Sequence, residues 1–309
     1  MIDPTGLMAY AGIMSAKVVC AVDAKARLGE GPVWSHTRGL LYWVDIDGGL
    51  VYSYEPASGA TRSFEVGMKI GAVVPRSEAA GGGLLMATEK GFAFLDEESG
   101  RVEAIHDPEA DNPDTRFNDG KCDPAGRFWA GTMSYSRTRG AANLWCMDTD
   151  YSVARRVSGV TVSNGITWSL DQKKMYYIDS SEFAVVSFEY DRESGAIANP
   201  EPVVVVPRGI GKPDGMCIDS EGMLWIALFR GGAVSKWDPE KGELLEMFEI
   251  PAVHVTACAF GGEDLSSLFV TTARDPASPE ELSAYPLAGG LFVLKPGVKG
   301  APFFEFGPR

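Results

Sequence analysis

Histidine and paired cysteines, which build most zinc and iron–sulfur sites, are scarce in this chain. The three histidines lack HExxH spacing, and the five cysteines are odd in number and contain no CxxC pair. Most of the cysteines lie in apolar, strand-like runs. We therefore predict buried thiols in a reducing compartment, which indicates a cytoplasmic protein. A zinc–thiolate centre is not expected.

Positive charge is also in short supply. The chain has 28 lysines and arginines against 42 aspartates and glutamates, and its formal net charge is -14. Such a balance leaves no basic stripe to neutralise nucleic-acid phosphates or to bind an anionic membrane surface. We predict no nucleic-acid partner and no membrane partner. The oligomeric state is predicted to be a monomer or weak dimer.

No apolar run approaches the length of a transmembrane helix. The leader MIDPTGLMAYAGI lacks the basic start and the sustained apolar stretch of a secretory signal. Because the segment MSAKVVC that begins at Met14 has the form of a natural start, we interpret residues 1–13 as a vector-derived or disordered leader. Residues 14–309 are predicted to form one domain.

Helical periodicity of ordinary length is absent, and a strand theme repeats instead. Short strands rich in aromatic and β-branched residues are separated by Asp-Gly, Ser-Gly and Lys-Gly turns. The copies are spaced by roughly 43–50 residues, as in propeller blades, with starts near Leu41, Leu84, Arg127, Lys174, Leu224 and Leu268. The sequence therefore predicts an all-β fold, a six-bladed β-propeller.

A ring of blades has to be closed, because free strand edges invite aggregation. The strand-like run VVCAVD, residues 18–23, is available for this purpose. We expect it to pair with the final blade, near the segment FFEF at residues 303–306.

Four polar residues recur at blade-like intervals: Glu30, Asn118, Asn164 and Asp214. The second to third and the third to fourth are each separated by about one blade, and the first two by about two blades. Innermost propeller strands begin at one face, so these side chains should converge on the axis. Two carboxylates and two amides predict an oxygen-rich site for a divalent cation in the central tunnel.

Asn-Gly and Asp-Gly pairs also form ordinary turns, and a single such pair favours a turn over a ligand. Four polar residues in register with the blade period favour a shared site instead. Equivalent places in the other two blades, near residues 70–74 and 256–260, are mainly apolar. We expect the neighbouring glycines to allow close strand approach at the axis, namely Gly31, Gly120, Gly165 and Gly215.

Five segments resemble the SMP-30/gluconolactonase/regucalcin-like family: LGEGPVW, RFNDGKCDPAGRFWAGTM, VSNGITWSLDQKKMYYIDS, KPDGMCIDSEGMLWIALFRGG and FGGEDLSSLFVTTARD. The resemblance runs from about Leu28 to the C-terminus. It implies a six-bladed β-propeller that binds one divalent metal in its central tunnel and hydrolyses sugar lactones.

The resemblance also implies roles for individual residues. Glu30, Asn164 and Asp214 match the metal ligands, and Asp214 also matches the proposed general base. Arg116 and Asn118, within RFNDG, match positions that contact the substrate. Oxygen and amide ligands suit Ca²⁺, Mg²⁺ and Mn²⁺, and carboxylate sites also accept Zn²⁺. The identity of the metal stays open.

Two features leave the substrate open. Several relatives carry a substrate-facing glutamate in the loop after GTM, whereas SYSRTRGAANLW contains no acid here, so Tyr135, Arg137 or Arg139 is expected to do different work. Arg116 has an alternative interpretation as a surface residue paired with Asp114 or Asp119.

The leading prediction is a divalent-metal-dependent hydrolase that opens a sugar lactone to the aldonic acid. The alternatives are a calcium-binding regulatory protein of the regucalcin type and an interaction scaffold. Three protein ligands would leave positions for water and substrate, whereas calcium storage favours a fuller oxygen shell. A serine hydrolase is not expected, because no GxSxG motif occurs in a strand–turn–helix context.

Overall fold

Strands account for nearly all regular structure in the computed structural model, which describes residues 12–13, 16–275 and 277–308. The described strands are, in chain order, β1 (Gly12–Ile13), β2 (Val19–Val22), β3 (Gly29–Ser35), β4 (Leu40–Asp45), β5 (Leu50–Glu55), β6 (Ala60–Glu65), β7 (Ile70–Pro75), β8 (Leu84–Thr88), β9 (Gly91–Leu95), β10 (Val102–His106), β11 (Thr115–Cys122), β12 (Phe128–Ser134), β13 (Ala142–Met147), β14 (Val153–Val160), β15 (Ser163–Trp168), β16 (Lys174–Asp179), β17 (Ala184–Tyr190), β18 (Ile197–Val205), β19 (Lys212–Ile218), β20 (Leu224–Phe229), β21 (Ala233–Asp238), β22 (Glu243–Glu249), β23 (His254–Gly261), β24 (Ser267–Ala273) and β25 (Leu291–Leu294). The all-β prediction is confirmed.

Within the described residues, helical structure is limited to short pieces. Helix α1 (Pro279–Ala284) begins at a capping box, in which Ser278 and Glu281 each accept a hydrogen bond from the other's backbone nitrogen. Two 3-10 turns lie at Glu78–Ala80 and Arg208–Ile210. Within the described ranges, no helix has the length and apolarity needed to cross a membrane.

The strands form antiparallel runs in which chain neighbours pair. Four sheets have four strands each, in the orders β3-β4-β5-β6, β10-β9-β8-β7, β11-β12-β13-β14 and β15-β16-β17-β18. A fifth sheet has nine strands and contains two further runs, β19 to β22 and β23 to β25 with β2. A single residue pair, Phe229 with His254, joins these two runs through β20 and β23.

Strand β2, within the run VVCAVD, pairs with the last run, as predicted, but its partner segment differs. Strand β2 lies antiparallel to β25, with Val19 opposite Val293. The prediction that β2 pairs near residues 303–306 is wrong. Strand β25 pairs with β24 on one side, and its other side is the edge that β2 joins. Most of the proposed leader, residues 1–11, lies outside the described residues, and the short β1 pairs in parallel with β22.

The C-terminal segment instead crosses several runs. Phe306 is fully buried, and its carbonyl accepts a hydrogen bond from the Ser77 nitrogen at 2.9 Å. Glu305 Oε1 accepts hydrogen bonds from the Ser35 and Thr37 hydroxyls, each at 2.7 Å. Further back, the nitrogen of residue 301 donates to Ile218 O. One short stretch is thus bonded to β3, to the end of β7 and to β19.

The first strand of each run lies against the first strand of the next. Strands β3, β7, β11, β15, β19 and β23 contact one another in this order, and β23 also contacts β3. The approach is close where glycine replaces a side chain. A Cβ on Gly165 would lie 2.6 Å from Met216 Cβ, and one on Gly215 would lie 2.8 Å from Ala257 Cα. Two of the four predicted glycines therefore permit contact between neighbouring first strands.

Paired tryptophan and aspartate side chains brace two of the runs internally. Trp129 Nε1 donates to Asp123 Oδ2 at 3.0 Å, and Trp225 Nε1 donates to Asp219 Oδ2 at 2.9 Å. Both aspartates are fully buried. The same carboxylate oxygen of Asp123 accepts from Arg127 Nη1 and from the Tyr190 hydroxyl. Because each buried polar group has partners, burial costs little here.

Candidate functional site

The five predicted site residues line one cavity of about 140 Å³. All of them are at most 7% exposed, and they lie among apolar residues that also line the cavity, such as Leu28 and Phe229. The structure therefore brings together the four residues that the blade spacing predicted to converge, and beside them the arginine whose role the resemblance implied: Glu30, Asn118, Asn164 and Asp214, with Arg116.

A β-bulge lies on each of the four strands that carry these residues. The pairing register shifts on each site strand, after Glu30 on β3, between Phe117 and Asp119 on β11, between Ser163 and Ile166 on β15, and between Pro213 and Met216 on β19. Bulges commonly turn a side chain away from regular alternation and are frequent beside active sites. Strands β7 and β23 carry the same shift at Gly71 and Thr256, which contribute no carboxylate or amide.

A hydrogen-bond chain fixes the Asn164 side chain. Asn164 Nδ2 donates to Ser180 Oγ at 3.0 Å, and Ser180 Oγ donates to Pro213 O at 2.7 Å. The other amide atom, Asn164 Oδ1, is buried with no hydrogen-bond partner, and so is Asp214 Oδ1. Buried oxygens without partners are rare and costly in native proteins. Both oxygens are therefore suited to a cation.

Three buried carboxylates share this region. Burial raises the pKa of Glu30 well above its usual value, and the negative charges of Asp214 and Asp119 raise it further. Burial and the charge of Asp119 likewise raise the pKa of Asp214. Like charges in a desolvated site disfavour ionisation, and a divalent cation would reverse that balance. The electrostatics therefore fit a metal at this place.

The proposed metal ligands include only two acidic side chains. Among the residues that the structure describes, no three His, Cys, Asp or Glu side chains are arranged as a ready set of metal ligands. The predicted set differs from such a cluster because the amide oxygen of Asn164 takes the place of a third acid. Two carboxylates with one amide oxygen still suit a hard cation.

Arg116 is buried in the cavity wall. Its Nη1 donates to Phe117 O at 2.8 Å and to Asn118 Oδ1 at 2.9 Å, and Asn118 Nδ2 donates to Ser163 O at 2.7 Å. The alternative of a surface arginine paired with Asp114 or Asp119 is wrong, because the side chain points inward and bonds to its own strand. Asn118 thus holds the guanidinium in place.

The loop from β12 to β13 supplies one wall of the cavity. Asp114 Oδ2 accepts hydrogen bonds from the Ser134 and Ser136 hydroxyls, each at 2.6 Å, and these bonds fasten the loop. Arg137 lines the cavity, whereas Arg139 forms an exposed ion pair with Glu182 at 3.0 Å. Of the three residues that the sequence left open in this loop, Arg137 is the one beside the site.

Three residues of the site were missed by sequence reasoning. Asp119 is buried next to Asn118, and its position inside RFNDG was the available signal. Lys212 lies two residues before Asp214 and lines the same cavity. Ser180 had no sequence signal, since its role depends on the position of Pro213 on the next run.

A larger cavity of about 290 Å³ opens at the opposite ends of β11, β15 and β19. Its lining includes Trp168, Leu170 and Phe303, with one charged residue, Lys121, and no carboxylate. Lys121 Nζ already donates to Met216 O at 2.7 Å. The chemistry therefore favours the smaller cavity as the candidate site.

Comparisons with known proteins identify the family. The family model described as SMP-30/Gluconolactonase/LRE-like region matches residues 28–274. Regucalcin of Danio rerio is 41% identical over 295 residues, which cover 94% of this chain and 99% of that protein. A Bacillus subtilis protein named "Putative sugar lactone lactonase YvrE" is 39% identical over 274 residues, covering 89% and 93%.

A solved structure is also similar over its whole length. The calcium-binding protein regucalcin from Agrobacterium tumefaciens has a TM-score of 0.88 and 26% identity, with 97% of this chain and 99% of that chain covered. The matched region contains every predicted site residue from Glu30 to Asp214. The chain belongs to the SMP-30/gluconolactonase/LRE-like family.

Proposed function

We propose that this protein is a divalent-metal-dependent hydrolase that opens a sugar lactone to the aldonic acid. The observation that carries the proposal is the pair of buried, unpartnered oxygens, Asn164 Oδ1 and Asp214 Oδ1, on a cavity that Glu30 also lines. The lactonase name of a relative at 39% identity supports the reaction class. Regucalcin relatives support a divalent cation.

We also propose that the strands form a six-bladed propeller. Six antiparallel runs of four strands support this count, if β19 to β22 and β23 to β25 with β2 are taken as separate blades. Only one residue pair joins those two runs. The cyclic order of contacts among the first strands, with β23 returning to β3, supports an axis lined by those strands.

Glu30, Asn164 and Asp214 would hold the cation, which is Ca²⁺, Mg²⁺, Mn²⁺ or Zn²⁺. When bound, a divalent cation polarises the lactone carbonyl and stabilises the negative charge that develops on its oxygen. Ser180 Oγ accepts a hydrogen bond from the amide nitrogen of Asn164. This bond fixes the orientation of the amide and leaves its oxygen free for the cation. Orientation of a ligand by a neighbouring hydrogen bond commonly strengthens metal sites.

Asp214 would accept the proton of the attacking water as general base. The water oxygen would form a bond to the carbonyl carbon, the ring C–O bond would break, and the ring oxygen would take the proton back from Asp214 to give the hydroxy acid. Arg116 has donors beyond those given to Phe117 O and Asn118 Oδ1, and these would orient the hydroxyl groups of the sugar. Because these side chains are at most 7% exposed, their hydrogen bonds to a bound ring would be stronger than in water.

A calcium-binding regulatory role is the second candidate. The names of the Danio rerio relative and of the Agrobacterium tumefaciens structure favour it. The two functions make different use of the cavity beside the proposed ligands. A hydrolase binds its substrate there, whereas a calcium-binding regulator needs no substrate cavity. Three protein ligands beside a cavity of about 140 Å³ favour the hydrolase.

The deciding experiment is a pH-indicator assay on a panel of aldonolactones. Metal-stripped protein is assayed alone and after addition of Ca²⁺, Mg²⁺, Mn²⁺ or Zn²⁺. We expect turnover only with metal, with the spontaneous rate subtracted. If no metal restores turnover while Ca²⁺ still binds in a calorimetric titration, the regulatory role replaces the hydrolase.

A further inference from the structure

Three positively charged side chains face the candidate cavity in a protein of formal net charge -14: Arg116, Arg137 and Lys212. Within the described part of the chain, Arg137 and Lys212 form no ion pair and no side-chain hydrogen bond, unlike the neighbouring Arg139, which is paired with Glu182. Unpaired cations directed at one cavity indicate a negatively charged ligand.

The carboxylates outside the cavity whose charges act on Arg116 and Lys212 are engaged elsewhere. Asp179 accepts hydrogen bonds from three backbone nitrogens, including Thr161 N at 2.8 Å. Asp47 pairs with Lys69 at 2.6 Å, and Glu89 accepts from the Tyr135 hydroxyl at 2.9 Å. The two carboxylates inside the cavity, Glu30 and Asp214, belong to the proposed metal site. The cations therefore remain available to a ligand.

The backbone of Arg137 is held in a rarely used conformation. Its φ is +54°, in the left-handed region that non-glycine residues seldom adopt. Its nitrogen donates to Ser134 O at 3.0 Å, and the adjacent Ser134 and Ser136 hydroxyls bond to Asp114. A strained conformation persists only where surrounding bonds hold it, and such positions are frequent at ligand sites.

We propose that the substrate is a sugar lactone with a carboxylate or phosphate on the carbon remote from the reacting carbonyl, bound by Arg137 and Lys212. This inference rests on the proposed lactonase function. Arg116 and Asn118 orient the ring, while the anionic group lies between the loop and the start of β19. Guanidinium and ammonium groups together recognise such an anion through charge-assisted hydrogen bonds.

The test compares matched substrates. The neutral aldonolactone, the monolactone of the corresponding sugar diacid and the 6-phosphate ester of the neutral lactone are assayed with metal-loaded wild type, Arg137→Gln and the control Arg139→Gln. Arg139→Gln removes one positive charge from the same loop, but Arg139 points away from the cavity. We expect the wild type to prefer one of the two anionic lactones over the neutral one. The preferred lactone shows whether the site recognises a carboxylate or a phosphate.

The selectivity ratio is the readout. Loss of one charge-assisted hydrogen bond should lower the ratio of kcat/KM for the anionic over the neutral lactone about 10- to 100-fold in Arg137→Gln. Arg139→Gln should retain the wild-type ratio. Wild type that turns over neutral and anionic lactones equally, with a ratio unaltered in Arg137→Gln, overturns the inference and leaves the lactonase function intact.

A binding experiment separates failure of the proposed lactonase function from failure of the anion site. If no lactone is turned over, methyl glucuronoside and methyl glucoside serve as stable rings that differ by a carboxylate in place of a hydroxymethyl group. Calorimetry showing tighter binding of the glucuronoside, lost in Arg137→Gln only, supports the anion site without catalysis. Equal binding of the two rings, or binding of neither, overturns it.

Discussion

Asn164 Nδ2 donates to Ser180 Oγ at 3.0 Å, and the same hydroxyl donates to the carbonyl of Pro213, the residue before Asp214, at 2.7 Å. One serine thereby ties together two proposed metal ligands that lie on different strands, β15 and β19. The amide nitrogen is occupied, so Asn164 Oδ1 is left to face the cavity. The geometry of the proposed site depends on a residue that is itself no ligand.

Ser180→Ala should weaken metal binding. Without the hydroxyl, the Asn164 amide loses the bond that fixes its orientation, and removal of such supporting bonds typically costs about 10- to 100-fold in metal affinity. Isothermal titration of stripped protein measures the change. Ser181→Ala is the control, because the Ser181 hydroxyl forms no hydrogen bond within the described residues. Equal affinities in the two variants would contradict the orienting role.

Glu30→Gln should weaken metal binding without removing the cavity. The substitution keeps the size of the side chain but removes one of the two ligand charges, and Glu30 is only 4% exposed. Metal titration followed by calorimetry gives the affinity, and circular dichroism verifies the fold. An unchanged titration curve would exclude Glu30 as a ligand.

Asp214→Asn should lower kcat for lactone hydrolysis by about 100- to 10,000-fold, the usual contribution of a general base. Because Asp214 is also a proposed ligand, the assay is run at metal concentrations that saturate the variant, with bound metal quantified in parallel. Turnover near the wild-type value with metal bound would rule out the base assignment while leaving the ligand assignment open to titration.

Gly215→Ala should destabilise the protein by about 1–3 kcal/mol, the usual cost of overpacking. The added Cβ would lie 2.8 Å from Ala257 Cα on the neighbouring first strand, where backbone has no room to move. Urea unfolding of the metal-free protein measures the free energy. Gly209→Ala is the control, since a Cβ there meets nothing within 4 Å. Similar stabilities of both variants would refute the close approach of β19 and β23.

Asp123→Asn should destabilise the protein by about 3–5 kcal/mol, the range for breaking a buried ion pair. Arg127 Nη1 lies 3.0 Å from Asp123 Oδ2, and the two side chains are 6% and 0% exposed. Thermal and urea unfolding should both report the loss. The exposed turn residue Asp150 provides the control, because Asp150→Asn should change stability by less than about 0.5 kcal/mol.

Most of the correct predictions about the fold and the site came from the length of the sequence repeat. Strand propensity and turn residues identified the runs, and the interval between polar positions identified which residues converge, including Asn118 and Asn164. Alternation alone would not have done so, because each site strand is bulged at that point. A period of two assigns Asp119 to the other face from Asn118, yet Asp119 is buried as well, because β11 is buried on both faces from Thr115 to Gly120.

Contacts between runs could not be read from the chain. Ser180 reaches Pro213, and β2 pairs with β25 although residues 303–306 are equally apolar. Both outcomes depend on which edges and loops the packing of the runs brings together. The domain boundary at residue 14, the cytoplasmic location and the oligomeric state stay predictions.

The path of the C-terminal segment has a consequence for how the molecule is assembled. Glu305 and Phe306 bond to residues near the starts of the first and second runs, more than two hundred positions earlier. Each run can pair its own strands as soon as it is synthesised. The bonds of Glu305 and Phe306 join stretches that are far apart in sequence, so they can form only once residues 305 and 306 have been made, well after the strands of the first and second runs.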